Sequence, residues 1–343
     1  KKVFSHLLFE ENIAIRKRIF MTATERVYSG SKDDIISMDD IDVYGDTFAY
    51  MSFKEAIEQK LLTDYKVITI DIKKSEIADF IKENNLVQLS DKWKKDTEAR
   101  SLASMLAMRK AMKQINIKHV VSFHSSIEKA ERYKDLQGYI TKNYDYKPID
   151  TYTVSGKIPT AKRNNIVQEF ANSKRALITN ARCLTEGIDV PNIDCIVFAD
   201  PRKSKVDIVQ ALGRALRKKE GKDWGYVILP VVYNEETNEI DNDSFNEIVS
   251  IVSSLATNDE RIIEYFKAKN QKGKTNRDII KGSDLFSFDS SMLDEKDFAR
   301  QLEIKIWDKL ARLKWMEFED AKDIIQTENL KSYSDWRVYS KTI

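Results

Sequence analysis

Short apolar runs rich in β-branched residues recur along the first two thirds of the chain, at Arg18–Thr22, Lys66–Ile72, His119–His124, Ile149–Ser155, Arg175–Thr179, Asp194–Ala199 and Trp224–Pro230. Most are apolar nearly throughout rather than alternating, which is the pattern of strands buried on both faces. Helical spacing fills the gaps, at Lys94–Ile117, Ile127–Asn143 and Pro159–Ala171, the last with proline at an early helical position. Strand alternating with helix predicts an α/β fold, a parallel sheet flanked by helices and joined by right-handed crossovers.

The pattern changes near residue 236. Phe245–Lys269 and Leu293–Gln326 are helical in period, with exposed connections at 271–276 and 282–291. An α/β domain is therefore expected over 65–235 and a helical extension over 236–310. Residues 31–46 are polar and turn-rich and read as a connection.

Composition narrows the setting. Hydrophobic residues make up 42% and charged residues 33% of the 343, and no stretch approaches the roughly 20 apolar residues of a membrane span. The opening residues show no signal-peptide pattern, and Cys183 and Cys195 form no CxxC pair or metal-ligand cluster. These features predict a reduced, cytoplasmic protein without a membrane partner. The overall net charge of +2 says nothing about nucleic acid, but residues 202–222 hold eight cations against two acids, a local net of +6. Residues 235–247 then carry six acids and no base.

Four segments carry candidate chemistry. In Thr22-Ala23-Thr24, small hydroxylated residues at a strand end can relay hydrogen bonds between a phosphate site and a neighbouring domain. Ser122–Ser126 is a buried strand ending in hydroxyls before a helix, a geometry that aims donors at an anion, and Ser125 is its candidate for phosphate contact. His124 reads as an ordinary strand-end histidine. In Ile178–Pro191 a strand runs into a polar turn. There Gly187 permits close backbone approach, Asp189 can accept from a sugar hydroxyl, and Thr179 can donate to phosphate. Lastly, Gln210-Ala211-Leu212-Gly213-Arg214-Ala215-Leu216-Arg217, as one helix, would put Gln210, Arg214 and Arg217 on one face. Ile208, Leu212, Ala215 and Leu216 would lie on the other. Paired guanidiniums, planar and always charged, suit a phosphoryl group in transfer.

Taken together, these segments resemble motifs III to VI of the superfamily 2 helicases over residues 18–230, most closely the DNA motors of restriction-type enzymes and mobile-element helicases. Met21–Tyr28, residues 52–57 leading to 62–65, and the form Thr179–Gly187 carry that closer likeness. Thr153–Gly156 followed by Arg163 and Phe170 also resembles the family segment between motifs IV and V. The resemblance implies a RecA-like fold in which Arg214 and Arg217, with Gln210, face ATP, Arg217 being the finger. It implies Gly187, Asp189 and Thr24 beside the nucleotide, and Ser125, Ser155, Gly156, Arg163, Thr179 and Thr185 on strand phosphates. Residues 1–64 would then be the remnant of a first RecA-like domain plus the interdomain connection, and 311–343 the start of a helicase-associated helical repeat.

A phosphate-cradling GxxxxGK[ST] loop is missing. Gly273-Lys274-Thr275 has Ala268 where the first glycine belongs, and neither Asp259-Glu260 nor Asp294-Glu295 follows a buried strand as a metal-binding DExx box would. The implied cofactors, ATP and Mg²⁺, would therefore need a first RecA-like domain to supply that loop and the metal ligands. The expected function is the second motor domain of an ATP-dependent DNA helicase or translocase, inactive toward ATP by itself. Two alternatives stand beside it: a non-catalytic nucleic-acid-binding module, and part of an RNA helicase, since contacts to phosphate and sugar do not separate DNA from RNA.

Overall fold

A computed structural model describes residues 8–9, 11–22, 36–83, 95–144, 146–181, 192–200, 205–234, 236–237, 239–262 and 286–289. Chain order is α1 (Ile41–Tyr44), α2 (Phe53–Glu58), β1 (Asp64–Lys73), α3 (Lys74–Glu83), α4 (Lys95–Gln114), β2 (His119–His124), α5 (Ile127–Asn143), β3 (Asp150–Ser155) and α6 (Thr160–Asn172). It continues through β4 (Ala176–Ala181), β5 (Cys195–Phe198), α7 (Lys205–Ala215), β6 (Trp224–Asn234), β7 (Glu239–Ile240), α8 (Asn242–Ala256) and β8 (Phe286–Asp289).

The strands form one sheet in the order β3-β4-β2-β5-β6-β1-β8, parallel throughout, with the two-residue β7 antiparallel on β6. Neighbouring side chains alternate between two apolar layers, as the unbroken hydrophobic runs require. Tyr65, Val67, Val121, Phe123, Ile196, Phe198, Val227 and Leu229 face one side, where α2, α6, α7 and α8 pack. Ile68, Ile70, Ile72, Val120, Leu177, Val197 and Ile228 face the other, against α3, α4 and α5.

Most of the expected elements are observed, and three differences have physical causes. Residues 18–22 form no strand. Ile19 is 69% and Met21 91% exposed, and no strand among the described residues pairs with this segment to hold it extended. The sheet also reaches beyond residue 235. The apolar stripe of α8 (Phe245, Ile248, Val249, Ile251, Val252, Leu255) is buried in the main core, and Phe286–Asp289 pairs with β1. Arg261 secures this stretch by bonding Asp64 at 2.9 and 3.0 Å and the fully buried Asp259 at 2.7 Å, while Asn258 accepts from the Phe53 amide at 3.0 Å. Finally, α7 stops at Ala215, so Arg217 lies beyond the helix. Residues 290–343, including the helical expectation at 293–326 and the tail from 311, lie outside the described residues, as do Gln271–Asn276.

The end of α7 is a crowded place. A Cβ on Gly225, the second residue of β6, would sit 2.8 Å from the Ala215 carbonyl oxygen and 3.0 Å from a Leu216 methyl. Gly213, inside α7, has no atom within 4 Å of an added Cβ. The two glycines therefore respond to alanine with opposite sign. Gly225→Ala lowers the unfolding free energy by about 1–3 kcal/mol through overpacking. Gly213→Ala raises it by about 0.5–1 kcal/mol through reduced chain entropy in a helix. Denaturant unfolding of both variants checks this, and the same sign in both would contradict it.

Candidate functional site

In a parallel sheet the carboxyl ends of the strands lie along one edge. Four sequence-identified residues gather there with two that the sequence reading missed. β2 runs into Ser125, β3 into Ser155 and Gly156, and α6 starts above β3 and carries Arg163 in its first turn. Asp200 follows β5 on the same edge, and Lys129 reaches it from the first turn of α5.

Asp200 organises this edge. Its carboxylate is 3% exposed and accepts from the Ser125 amide at 2.7 Å, the Ser125 hydroxyl at 2.8 Å and the Lys129 ammonium at 2.8 Å. Burial alone would raise its pKa. The bonds from Lys129 and Ser125 outweigh burial and hold it below the ordinary carboxylate range. Ser126 caps α5 by accepting from the Lys129 amide at 3.2 Å. Ser125 therefore spends its hydroxyl proton on Asp200. Phosphate near neutral pH mainly needs donors, so Ser125 as placed has none to give it. Asp200 stands beyond the four buried residues of β5, separated from them by one residue, and a charge at that position was the available signal.

Thr179 is paired inside the sheet. It is fully buried in β4 and shares a hydrogen bond of 2.8 Å with Thr153, its register partner on β3. Ser155 is 3% exposed, and Gly156 is exposed with no atom within 4 Å of an added Cβ, so the fold itself does not demand glycine there. Arg163 donates to the Thr160 hydroxyl at 3.0 Å, and its Nε is buried with no acceptor among the described residues. His124 is a core residue, bonded to Ser122 at 2.9 Å and packed 4.7 Å from the Tyr133 ring. Thr24, Thr185, Gly187 and Asp189 lie outside the described residues.

The arginines sit elsewhere. α7 runs back across the sheet, and over eleven residues covers about 16 Å. It ends beside the amino ends of β1 and β6, where the Thr63 amide donates to Leu216 at 2.8 Å and Leu62 forms an antiparallel bridge with Arg217. Gln210 is half-buried, Arg214 is 9% exposed, and Arg217 is exposed. The single-face arrangement expected for all three holds only as far as Arg214. Lys222 explains the break. Its ammonium donates to the carbonyls of Ile193 at 2.6 Å, Arg217 at 3.2 Å and Ala215, so it takes up carbonyls at and beyond the helix end. Burial lowers its pKa to about 8, with Lys219 adding to the shift and Asp194 opposing it. Ile208, Leu212, Ala215 and Leu216 are fully buried, as expected for the apolar side.

Residues 98–219 match the family model of the helicase conserved C-terminal domain. The chain is 28% identical over 265 residues to probable helicase A859L of African swine fever virus (isolate Tick/Malawi/Lil 20-1/1983), a match covering 76% of this chain and 28% of the viral protein. Among solved structures it is similar to the ATP-dependent Type ISP restriction-modification enzyme LlaBIII bound to DNA. There the TM-score is 0.68 at 25% identity, covering 90% of this chain and 22% of that one. The chain is thus similar to the C-terminal part of superfamily 2 helicases. A shorter match joins this chain to IRC3 of Saccharomyces cerevisiae, named as a candidate ATP-dependent helicase. That match is 38% identical over 86 residues, 25% of this chain and 12% of the yeast protein. The chain thus spans less than a third of each of these relatives. No helix among the described residues is long and apolar enough to cross a membrane.

The Asp200 cluster gives this domain a testable acid response. Because the folded carboxylate titrates below its unfolded value, the stability it contributes is present above pH ~4 and is lost as pH falls through the folded value. Asp200→Asn should lower the unfolding free energy by about 1.5–3 kcal/mol at pH 7, and its deficit should shrink toward pH 3. Unfolding titrations across that range check this, and a deficit independent of pH would contradict it.

Proposed function

We propose that this helicase domain is the second motor domain of an ATP-dependent DNA helicase or translocase. In this reading it grips strand phosphates along the carboxyl edge of its sheet and offers Arg217 to ATP at the far end of α7. The carrying observation is where Arg217 stands. It is exposed, and its backbone is bridged to Leu62, at the end of the segment 36–62. Among the described residues the exposed large apolar side chains all fall between Ile13 and Leu61, with Phe48 78%, Tyr50 67% and Leu61 55% exposed. A concentration of bare apolar surface is the mark of an interface, and a first RecA-like domain seated on residues 1–64 would cover it and face Arg217. The P-loop and metal carboxylates would come from that domain, since no GxxxxGK[ST] or DExx box follows a strand in this sequence. By itself this chain would hydrolyse ATP negligibly.

In this reading Arg214, mostly buried, holds the end of α7 and contributes charge from behind Arg217. Gln210 lies one turn further back, while Gly187, Asp189 and Thr24 complete the nucleotide side. Ser155, Gly156 and Arg163 present the strand surface, joined by Thr185. Thr179 fixes β3 through Thr153, and Ser125 reaches phosphate only by leaving Asp200. DNA is favoured over RNA because the similar restriction-modification enzyme is bound to DNA.

Fluorescence anisotropy with labelled single-stranded DNA of several sequences tests the grip. Binding is expected to weaken steeply with salt and to vary little with sequence. Arg163→Ala should lower affinity about ten-fold for every sequence and reduce the salt slope by about 1. Salt-insensitive or strongly sequence-selective binding would contradict the reading, and tighter binding to RNA of the same sequence would move it to an RNA helicase.

A further inference from the structure

A partly open cavity of about 430 Å³ lies at the amino edge of the sheet, lined by the last turns of α4, by Ile115 and Asn116 beyond it, and by residues that lead into β3 and β4. Four of its lining residues are cations, Arg109, Lys113, Lys147 and Arg175, and among the described residues no carboxylate lines it. It lies at the opposite edge from the strand-facing group. It is also about 17 Å along the sheet from Arg217, taking three to four strand spacings between β4 and the β6–β1 pair.

Arg109 is the unusual member. It is 3% exposed, and its guanidinium donates to the Lys147 carbonyl, while its Nε is buried without an acceptor among the described residues. Its guanidinium stacks 5.1 Å from the Tyr146 ring. Burial lowers its pKa to about 10, with Tyr146 opposing the shift and Arg175 adding to it, and it still carries full charge at neutral pH. The nearby carboxylate of Glu76 is bonded to Lys110 at 2.8 Å. The carbonyls at the end of α4 supply only about half a negative charge, against four cations.

We propose that this cavity is a second anion site, binding phosphoryl groups between Arg109, Lys147 and Arg175. Arg109 brings a guanidinium charge to the cavity wall, with its Nε–H without an acceptor among the described residues, and the exposed Lys113 and Lys147 supply charge at the mouth. Several cations around one cavity favour a multiply charged ligand over a lone carboxylate. Either a nucleic-acid strand or a small free phosphate compound carries that chemistry. The site stands on its own geometry and does not depend on the motor reading.

Isothermal titration calorimetry of the purified protein with inorganic pyrophosphate tests it. Saturable binding is expected, weakened ten-fold or more in Lys147→Glu and in Arg175→Glu, both of which change residues outside the buried core. Arg109→Lys, which keeps the charge and removes the fork, should weaken binding less than either reversal. A single-stranded oligonucleotide added in competition separates the sources. Displacement of pyrophosphate in the wild type identifies strand phosphate as the ligand, and failure to displace it identifies a small free phosphate compound. Absent pyrophosphate binding, or binding equal to wild type in both charge-reversal variants, overturns the proposal.

Discussion

One ammonium group decides what the far end of this domain can present. Lys222 donates to the carbonyls of Ile193, Ala215 and Arg217, and so ties the lead into β5, the last turn of α7 and the lead into β6 to a single charge. Had α7 continued one more turn, Arg217 would lie on the same face as Arg214 and be drawn toward the core. Because it stops, Arg217 leaves the helical path, pairs with Leu62 and stays exposed. Gly225 makes the stop possible by letting β6 pass against the Ala215 carbonyl. The cost is a lysine held partly dehydrated, visible in its lowered pKa.

The fold also keeps two kinds of contact apart. The carboxyl edge holds small residues and Arg163, stiffened from below by Asp200, which fastens Ser125 and Lys129 to the end of β5. The arginine end lies a full helix away, beside the segment that carries the bare apolar side chains. A parallel sheet with antiparallel return helices produces this separation without special devices. Loops after strands lie along one edge, and the end of α7 lies at the other. In the motor reading, the first meets the strand and the second the nucleotide.

Much of this was legible in the sequence. β2 and α5 occupy the residues that periodicity indicates, and the alternation of apolar layers follows from runs buried on both faces. Where the reading fell short, the deciding partner was distant along the chain. Ser125 looks like a free hydroxyl until Asp200, 75 residues later, takes both its donors. Thr179 looks like an exposed phosphate donor, whereas it is fully buried and shares its hydroxyl hydrogen bond with Thr153 across the sheet. Arg217 obeys helical spacing on paper, and only Lys222 and Leu62 remove it from the helix. β8 escaped notice because a four-residue strand with polar alternate positions, Phe286–Asp289, carries too little pattern to stand out in a helical region.

The central claim is that Arg217, left exposed by the arrest of α7, completes an ATP site shared with a first RecA-like domain. The most direct measurement is single-turnover ATP hydrolysis, in the presence of DNA, by the protein carrying both domains, comparing wild type with Arg217→Ala. The expected result is a fall in the hydrolysis rate of about 10³-fold or more, with nucleotide affinity changed only a few-fold. A rate within a few-fold of wild type would contradict the assignment and leave the exposed arginine without a role in the chemistry.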